Sequence, residues 1–155
     1  MRRQQAAAVC YRQIGDSVEF LLVLTNSGKW TFPKGCIDVR GTGRETALRE
    51  ALEEAGAVGD IAQEPFCRYI HGKGVFWKRG GLEKVLVRAY LMEVLFTVLP
   101  SEKLRNPTWF SATNAKLQLC RGREEKYQRE LEAVIDEALL TINRQAKAAG
   151  NWRAS

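Results

Sequence analysis

The stretch "REALEEAG", residues 49–56, holds Glu50, Glu53 and Glu54 within five positions. Spacings of three and four put these carboxylates on one face of a helix. Like charges at such spacing repel, so the pattern calls for a positive partner. Clustered carboxylates are hard oxygen donors, suited to a divalent cation such as Mg²⁺, which shares its shell with waters and substrate phosphates. An ion there would offset the repulsion and hold the carboxylates deprotonated. It would also polarise a phosphoryl oxygen and lower the pKa of a water. A solvated helix rich in Glu would show the same eight residues, because Glu is a good helix former. The surrounding sequence has to separate the two readings.

The element that positions the cluster is a helix expected over residues 42–55. Thr42 and Glu45 form a capping box, and Gly56 suits the left-handed position that closes a helix. Leu48, Ala51, Leu52 and Ala55 recur at helical spacing, predicting an apolar stripe toward the core. The carboxylates then point to solvent or a cleft. Before the helix, residues 6–14 and 18–24 read as strands around a "GD" turn. "KWTF" is a short extended piece ended by Pro33, and a Gly-rich loop leads on to residue 43. Residues 61–70 and 74–78 read as strands joined at "HGKG". Residues 83–95 form a strong strand candidate. "PTWFSATNAKLQL" reads as a short strand and then a helix from about Ser111 or Thr113, followed by a long terminal helix over 122–148. Strands around one early helix and a terminal helix predict an α/β fold, a mixed β-sheet between helices.

The chain has 155 residues and a net charge of +6. Its length suits one domain, expected over residues 1–150, with residues 151–155 as a flexible tail. No apolar run is long enough to span a membrane. Cys10, Cys36, Cys67 and Cys120 are scattered without a CxxC pair. That argues against a zinc site or a disulfide framework and fits a reducing, cytoplasmic setting. With His71 as the lone histidine, a histidine metal site or a Ser-His-Asp triad would have to rest on it. The positive balance suits either solubility or an anionic partner.

In this context the sequence resembles the Nudix hydrolases, whose box reads G-x5-E-x7-R-E-U-x-E-E-x-G-U. Gly35, Arg49, Glu50, Glu53, Glu54 and Gly56 fall in register. At a chance of about one in fifteen per position, six such matches arise roughly once in ten million starts. "WTFPKG", just before the box, is similar to a branch acting on dinucleoside polyphosphates. Two departures stand out. Gly41 occupies the place of the box's first Glu, and both U positions, Ala51 and Ala57, are small. The resemblance implies the Nudix α/β/α fold and hydrolysis of a diphosphate linkage with Mg²⁺ or Mn²⁺. It implies Glu50, Glu53 and Glu54 as metal ligands, with Asp38 compensating for Gly41. Arg49 would orient a carboxylate, Glu53, Glu50 and Glu102 would serve catalysis, and Gly35 and Gly56 would let the loops close.

For the substrate, Lys34 at the mouth of the box, Arg68, Lys84 and Arg88 are candidate phosphate partners, with His71 and Lys73 completing a cationic wall. Trp77 and Tyr90 are candidate stacking groups, although core packing is the commoner fate of aromatics. A phosphate-rich small molecule is the expected partner, a dinucleoside polyphosphate or diphosphoinositol polyphosphate first. An RNA 5′ triphosphate and oxidised nucleoside triphosphates follow. A homodimer is in keeping with the family. A non-catalytic nucleotide sensor is the alternative that Gly41 favours.

Overall fold

The computed structural model describes residues 4–74 and 82–154. Among the described residues, eight strands and three helices follow in order: β1 (Gln4–Ile14), β2 (Ser17–Leu24), β3 (Trp30–Thr31), β4 (Lys34–Cys36), α1 (Gly43–Ala55), β5 (Ala57–Ile61), β6 (Cys67–Gly74), β7 (Leu82–Thr97), β8 (Thr108–Ser111), α2 (Ala112–Cys120) and α3 (Glu125–Ala154). The strands form one mixed sheet in the order β3-β2-β1-β7-β5, with β4 beside β1, β6 beside β7 and β8 beside β2. The pairing of β1 with β7 is parallel, and the other pairings are antiparallel.

Alternation along the strands sends side chains to two faces. Ala7, Val9, Tyr11, Phe20, Leu22, Val87 and Leu91 meet α2 and α3 through Ala115, Leu119, Leu131 and Ile135. Ala6, Ala8, Cys10, Leu21, Tyr90 and Met92 meet α1 through Ala47, Ala51 and Ala55. The expected α/β/α layering is therefore present. Among the described residues, no helix is long and apolar enough to cross a membrane. Cys10, Cys36, Cys67 and Cys120 are free thiols.

Helix α1 has the expected caps. The Thr42 side chain accepts a hydrogen bond from the Glu45 N–H, and Gly56 adopts φ 65°. Its buried face differs from the stripe expected from spacing. Leu48 and Leu52 are 36% and 46% exposed, whereas Ala47 and Ala51 are fully buried. The helix presses its small residues onto Ala6 and Ala8 of β1, so backbone proximity rather than leucine bulk sets the interface. The small residues at both U positions follow from this packing, with Ala51 and Ala57 buried. The rotation also carries Glu54 inward, to 3% exposure.

Three other segments differ from expectation. "HGKG" is no turn: it lies within β6 and pairs with residues 82–85 of β7. Gly72 there passes under the Tyr127 ring. Residues 34–36, expected as loop, add β4 to β1. Helix α3 continues past the expected end at 148, to Ala154. No proline stops the helix, and Gly150 costs only about 1 kcal/mol.

The rotated interface sets two expectations. Ala51→Leu should cost about 1–3 kcal/mol by overpacking, whereas Leu52→Gln should stay within about 0.5 kcal/mol. Urea unfolding of both variants checks this. Equal losses would restore the leucine stripe.

Candidate active site

Three carboxylates from two segments meet at the C-terminal end of α1. Glu50, Glu54 and Glu102 each bring a carboxylate oxygen within 4.8 Å of the others. Glu50 and Glu54 come from the helix, while Glu102 comes from the loop between β7 and β8. Gly35 makes the approach feasible, because a Cβ there would overlap the Glu50 carboxylate. The Lys34 backbone N–H donates to Glu54 Oε1 at 3.2 Å. Gly56 combines its positive φ with a close approach to the Val98 carbonyl that leaves no room for a side chain.

The loop bearing Glu102 is held at several points. The Glu102 N–H donates to the Glu53 carbonyl at 2.9 Å, and the Val98 N–H to the Gly56 carbonyl at 2.7 Å. Arg105 grips the Glu102 carboxylate through Nε at 3.1 Å and Nη2 at 2.9 Å, and donates through Nη1 to the Leu24 carbonyl at 3.2 Å. Leu104 and Asn106, on either side of Arg105, have φ of 73° and 47°. For a bulky residue such as Leu104 this conformation is costly and persists where the surroundings over-determine it.

Burial pushes the Glu54 carboxyl up to about 7; Arg105 and the Lys34 N–H oppose the shift, and Glu50 and Glu102 add to it. Burial raises Glu50 too, with Glu53 adding and Arg49 opposing. The donor set fits a hard divalent cation. It consists of carboxylate oxygens, with the Glu50 carboxylate seated where a side chain at position 35 would overlap it.

The remaining candidates are distributed differently from the expectation. Arg49 binds Asp38 at 3.2 Å and lies 3.8 Å from Glu50 and 4.0 Å from Glu53. Asp38 is thus an exposed partner of Arg49 and stands outside the three-carboxylate group, as does the Glu53 side chain. The third carboxylate is Glu102 instead. A Cβ at Gly41 would lie 3.5 Å from Asp38 and 3.9 Å from Glu45.

Lys34 and His71 line a cleft of about 640 Å³ between the sheet and the start of α3. Arg68 and Arg88 face each other across β6 and β7, on the side that packs α1. Lys84 is exposed four residues before Arg88 on the same strand and on the same face. The expected cationic wall is therefore split by strand alternation between two faces of the sheet. Tyr90 is 5% exposed and packs in the core under α1, so it offers no stacking face. Trp77 and the Lys73 side chain lie outside the described residues. "WTFPKG" acts through packing and backbone: Trp30 meets Phe110 edge-on, Phe32 meets Tyr69, and the Pro33 carbonyl accepts from the Ala8 N–H. Arg105 was not legible as a site residue, its one sequence cue being its place three residues after Glu102.

A mixed sheet between helices, with a carboxylate triad at the end of the first helix, defines an α/β/α fold built around an acidic centre. The NUDIX domain profile matches residues 1–131. Nudix hydrolase 17, mitochondrial, of Arabidopsis thaliana is 30% identical over 156 residues, spanning 94% of this chain and 80% of that protein. Nudix hydrolase 18, mitochondrial, of the same plant is 30% identical over 125 residues, spanning 74% and 68%. Solved structures share the fold. A C. elegans Ap4A hydrolase binary complex has a TM-score of 0.61 at 22% identity, covering 86% of this chain and 98% of that one. The NUDIX domain of Shewanella oneidensis NrtR, complexed with ADP ribose, has a TM-score of 0.64 at 16% identity, covering 92% and 89%. The chain belongs to the Nudix family and is a pyrophosphohydrolase.

In the metal-free protein, Glu54 keeps its proton up to about pH 7. Its folded pKa lies above its ordinary value of 4.5. The stability it contributes is therefore present at low pH and lost as pH rises through about 7. A cation must displace that proton. Mn²⁺ affinity, measured by calorimetry, should weaken as pH falls from about 8 to about 6. Glu54→Gln should flatten the dependence. A parent affinity that is level across this range would contradict the assignment of Glu54.

Proposed function

We propose that the chain hydrolyses a diphosphate linkage in a nucleotide-like polyanion, with Mg²⁺ or Mn²⁺ held by Glu50, Glu54 and Glu102. The observation that carries this reading is the meeting of three carboxylates within 4.8 Å beside a cleft lined by Lys29, Lys34 and Arg123. A divalent ion, when bound, supplies charge stabilisation at phosphoryl oxygens and a more acidic water. The chain's own residues do the rest. Arg49 holds Asp38, Glu50 and Glu53 in one array, and Arg105 fixes Glu102. Glu53, half-exposed at the rim of the triad, accepts the proton of the attacking water. The new P–O bond forms as the bridging P–O bond breaks, leaving two phosphorylated products.

A dinucleoside polyphosphate is the first substrate class in this reading. The Ap4A hydrolase likeness and the basic cleft both favour it. Diphosphoinositol polyphosphates, RNA 5′ triphosphates and oxidised nucleoside triphosphates are arms of the same substrate panel, run with Mg²⁺ and with Mn²⁺.

Three variants test the roles. Glu54→Gln should lose both Mn²⁺ binding and turnover, the latter by at least about a hundredfold. Glu53→Gln should lose turnover on a similar scale while metal affinity stays within about threefold. Gly41→Glu should change turnover by less than about threefold, since the triad is complete without it. Glu54→Gln retaining full Mg²⁺-dependent turnover would sink the metal assignment. A large gain in Gly41→Glu would favour the decayed, sensor-like reading.

A further inference from the structure

Resting on that reading of the acidic centre, we infer that Arg123 and the Tyr69 hydroxyl form an anion subsite in the cleft. It receives a phosphate of the substrate distant from the bond that is cleaved. Three observations converge. First, both residues line the cleft, and so do Lys29 and Lys34. The cleft's size, about 640 Å³, is that of a site for a nucleotide-sized ligand.

Second, the cleft holds polar groups without partners. Tyr69 is 2% exposed, and among the described residues its hydroxyl has no hydrogen-bond partner. A buried hydroxyl left unpaired costs about 1–3 kcal/mol, so an oxygen acceptor there would recover that loss. Arg123 is held by one hydrogen bond from Nη1 to the Leu119 carbonyl, 2.6 Å. Among the described residues it has no carboxylate partner. The acid in the cleft wall, Glu124, lies 3.8 Å from Lys126. The remaining donors of a planar guanidinium match a phosphate fork.

Third, the cleft adjoins the acidic centre. The Lys34 N–H that bonds Glu54 belongs to a residue lining the same cleft as Tyr69 and Arg123. A polyphosphate chain entering beside Lys34 would thus have the carboxylates and their ion at one end. Arg123, Tyr69 and Lys29 would be at the other. The Lys29 side chain runs alongside Gly122, next to Arg123.

The test uses the full chain without divalent ions, in EDTA, titrated calorimetrically with inorganic tripolyphosphate. Arg123→Gln should weaken binding about ten- to hundredfold. Arg123→Lys should fall between the two, because charge is kept and the fork is lost. Tyr69→Phe, which keeps the ring, should weaken it by about fivefold or more. Arg144→Gln removes the same charge from an exposed site on α3 and should leave affinity unchanged. Binding by Arg123→Gln equal to that of the parent, no binding by the parent, or an equal loss in Arg144→Gln would each overturn the proposal. With a long polyphosphate substrate, Arg123→Gln should raise KM and leave kcat within about twofold. Arg123-dependent binding in a protein that hydrolyses none of the panel would remove the proposed reaction and leave the subsite standing.

Discussion

The structure depends on bringing like charges together. Three carboxylates within 4.8 Å repel by about 3 kcal/mol per ionised pair at the effective dielectric near a protein surface. Two features make the arrangement tolerable without an ion. Glu54 keeps its proton, because burial pushes its carboxyl up to about 7. Arg105 and Arg49 add positive charge to the group, one on Glu102 and the other near Glu50. A divalent cation would replace the proton with a stronger counter-charge, so the site is poised between two ways of neutralising the same cluster.

That poise is built from small residues. Ala47 and Ala51 on the helix meet Ala6 and Ala8 on the strand, and the close approach places Glu50 directly over Gly35. Larger residues at these positions would lift the helix and open the triad. The loop from Val98 to Arg105 contributes the third carboxylate. It is tethered to the end of α1 and to Leu24 of β2, so two packed elements hold it. Its left-handed Leu104 shows that local backbone preference yields there to the tethers.

Much of the fold was legible because its signals are local. The β1–β2 hairpin, the Thr42 cap, the Gly56 terminator and the long terminal helix rest on residues a few positions apart. The misreadings have a common cause. "HGKG" looked like a turn from its glycines, yet Gly72 serves a close approach by Tyr127, fifty-five positions away. Leu48 and Leu52 had the right spacing for a stripe, but the sheet opposite offered alanines and drew the helix in on another face. Arg68, Lys84, Arg88 and His71 share only their basic character along the sequence. Strand alternation sends His71 to the other side of the sheet.

By itself, the sequence determined the box, its register and the chemistry of its carboxylates, since residue types and spacings along one helix suffice for those. Only the tertiary structure decided which carboxylates meet. Asp38 turned away to Arg49, and Glu102 arrived from a loop some fifty residues further on. Only the tertiary structure could place Arg105 behind Glu102 and leave Arg123 beside an unpaired Tyr69 hydroxyl. The meetings of Glu102 with Glu50 and Glu54, and of Arg123 with Tyr69, join segments distant in the chain, and burial and distance across the fold, rather than local periodicity, set their energies.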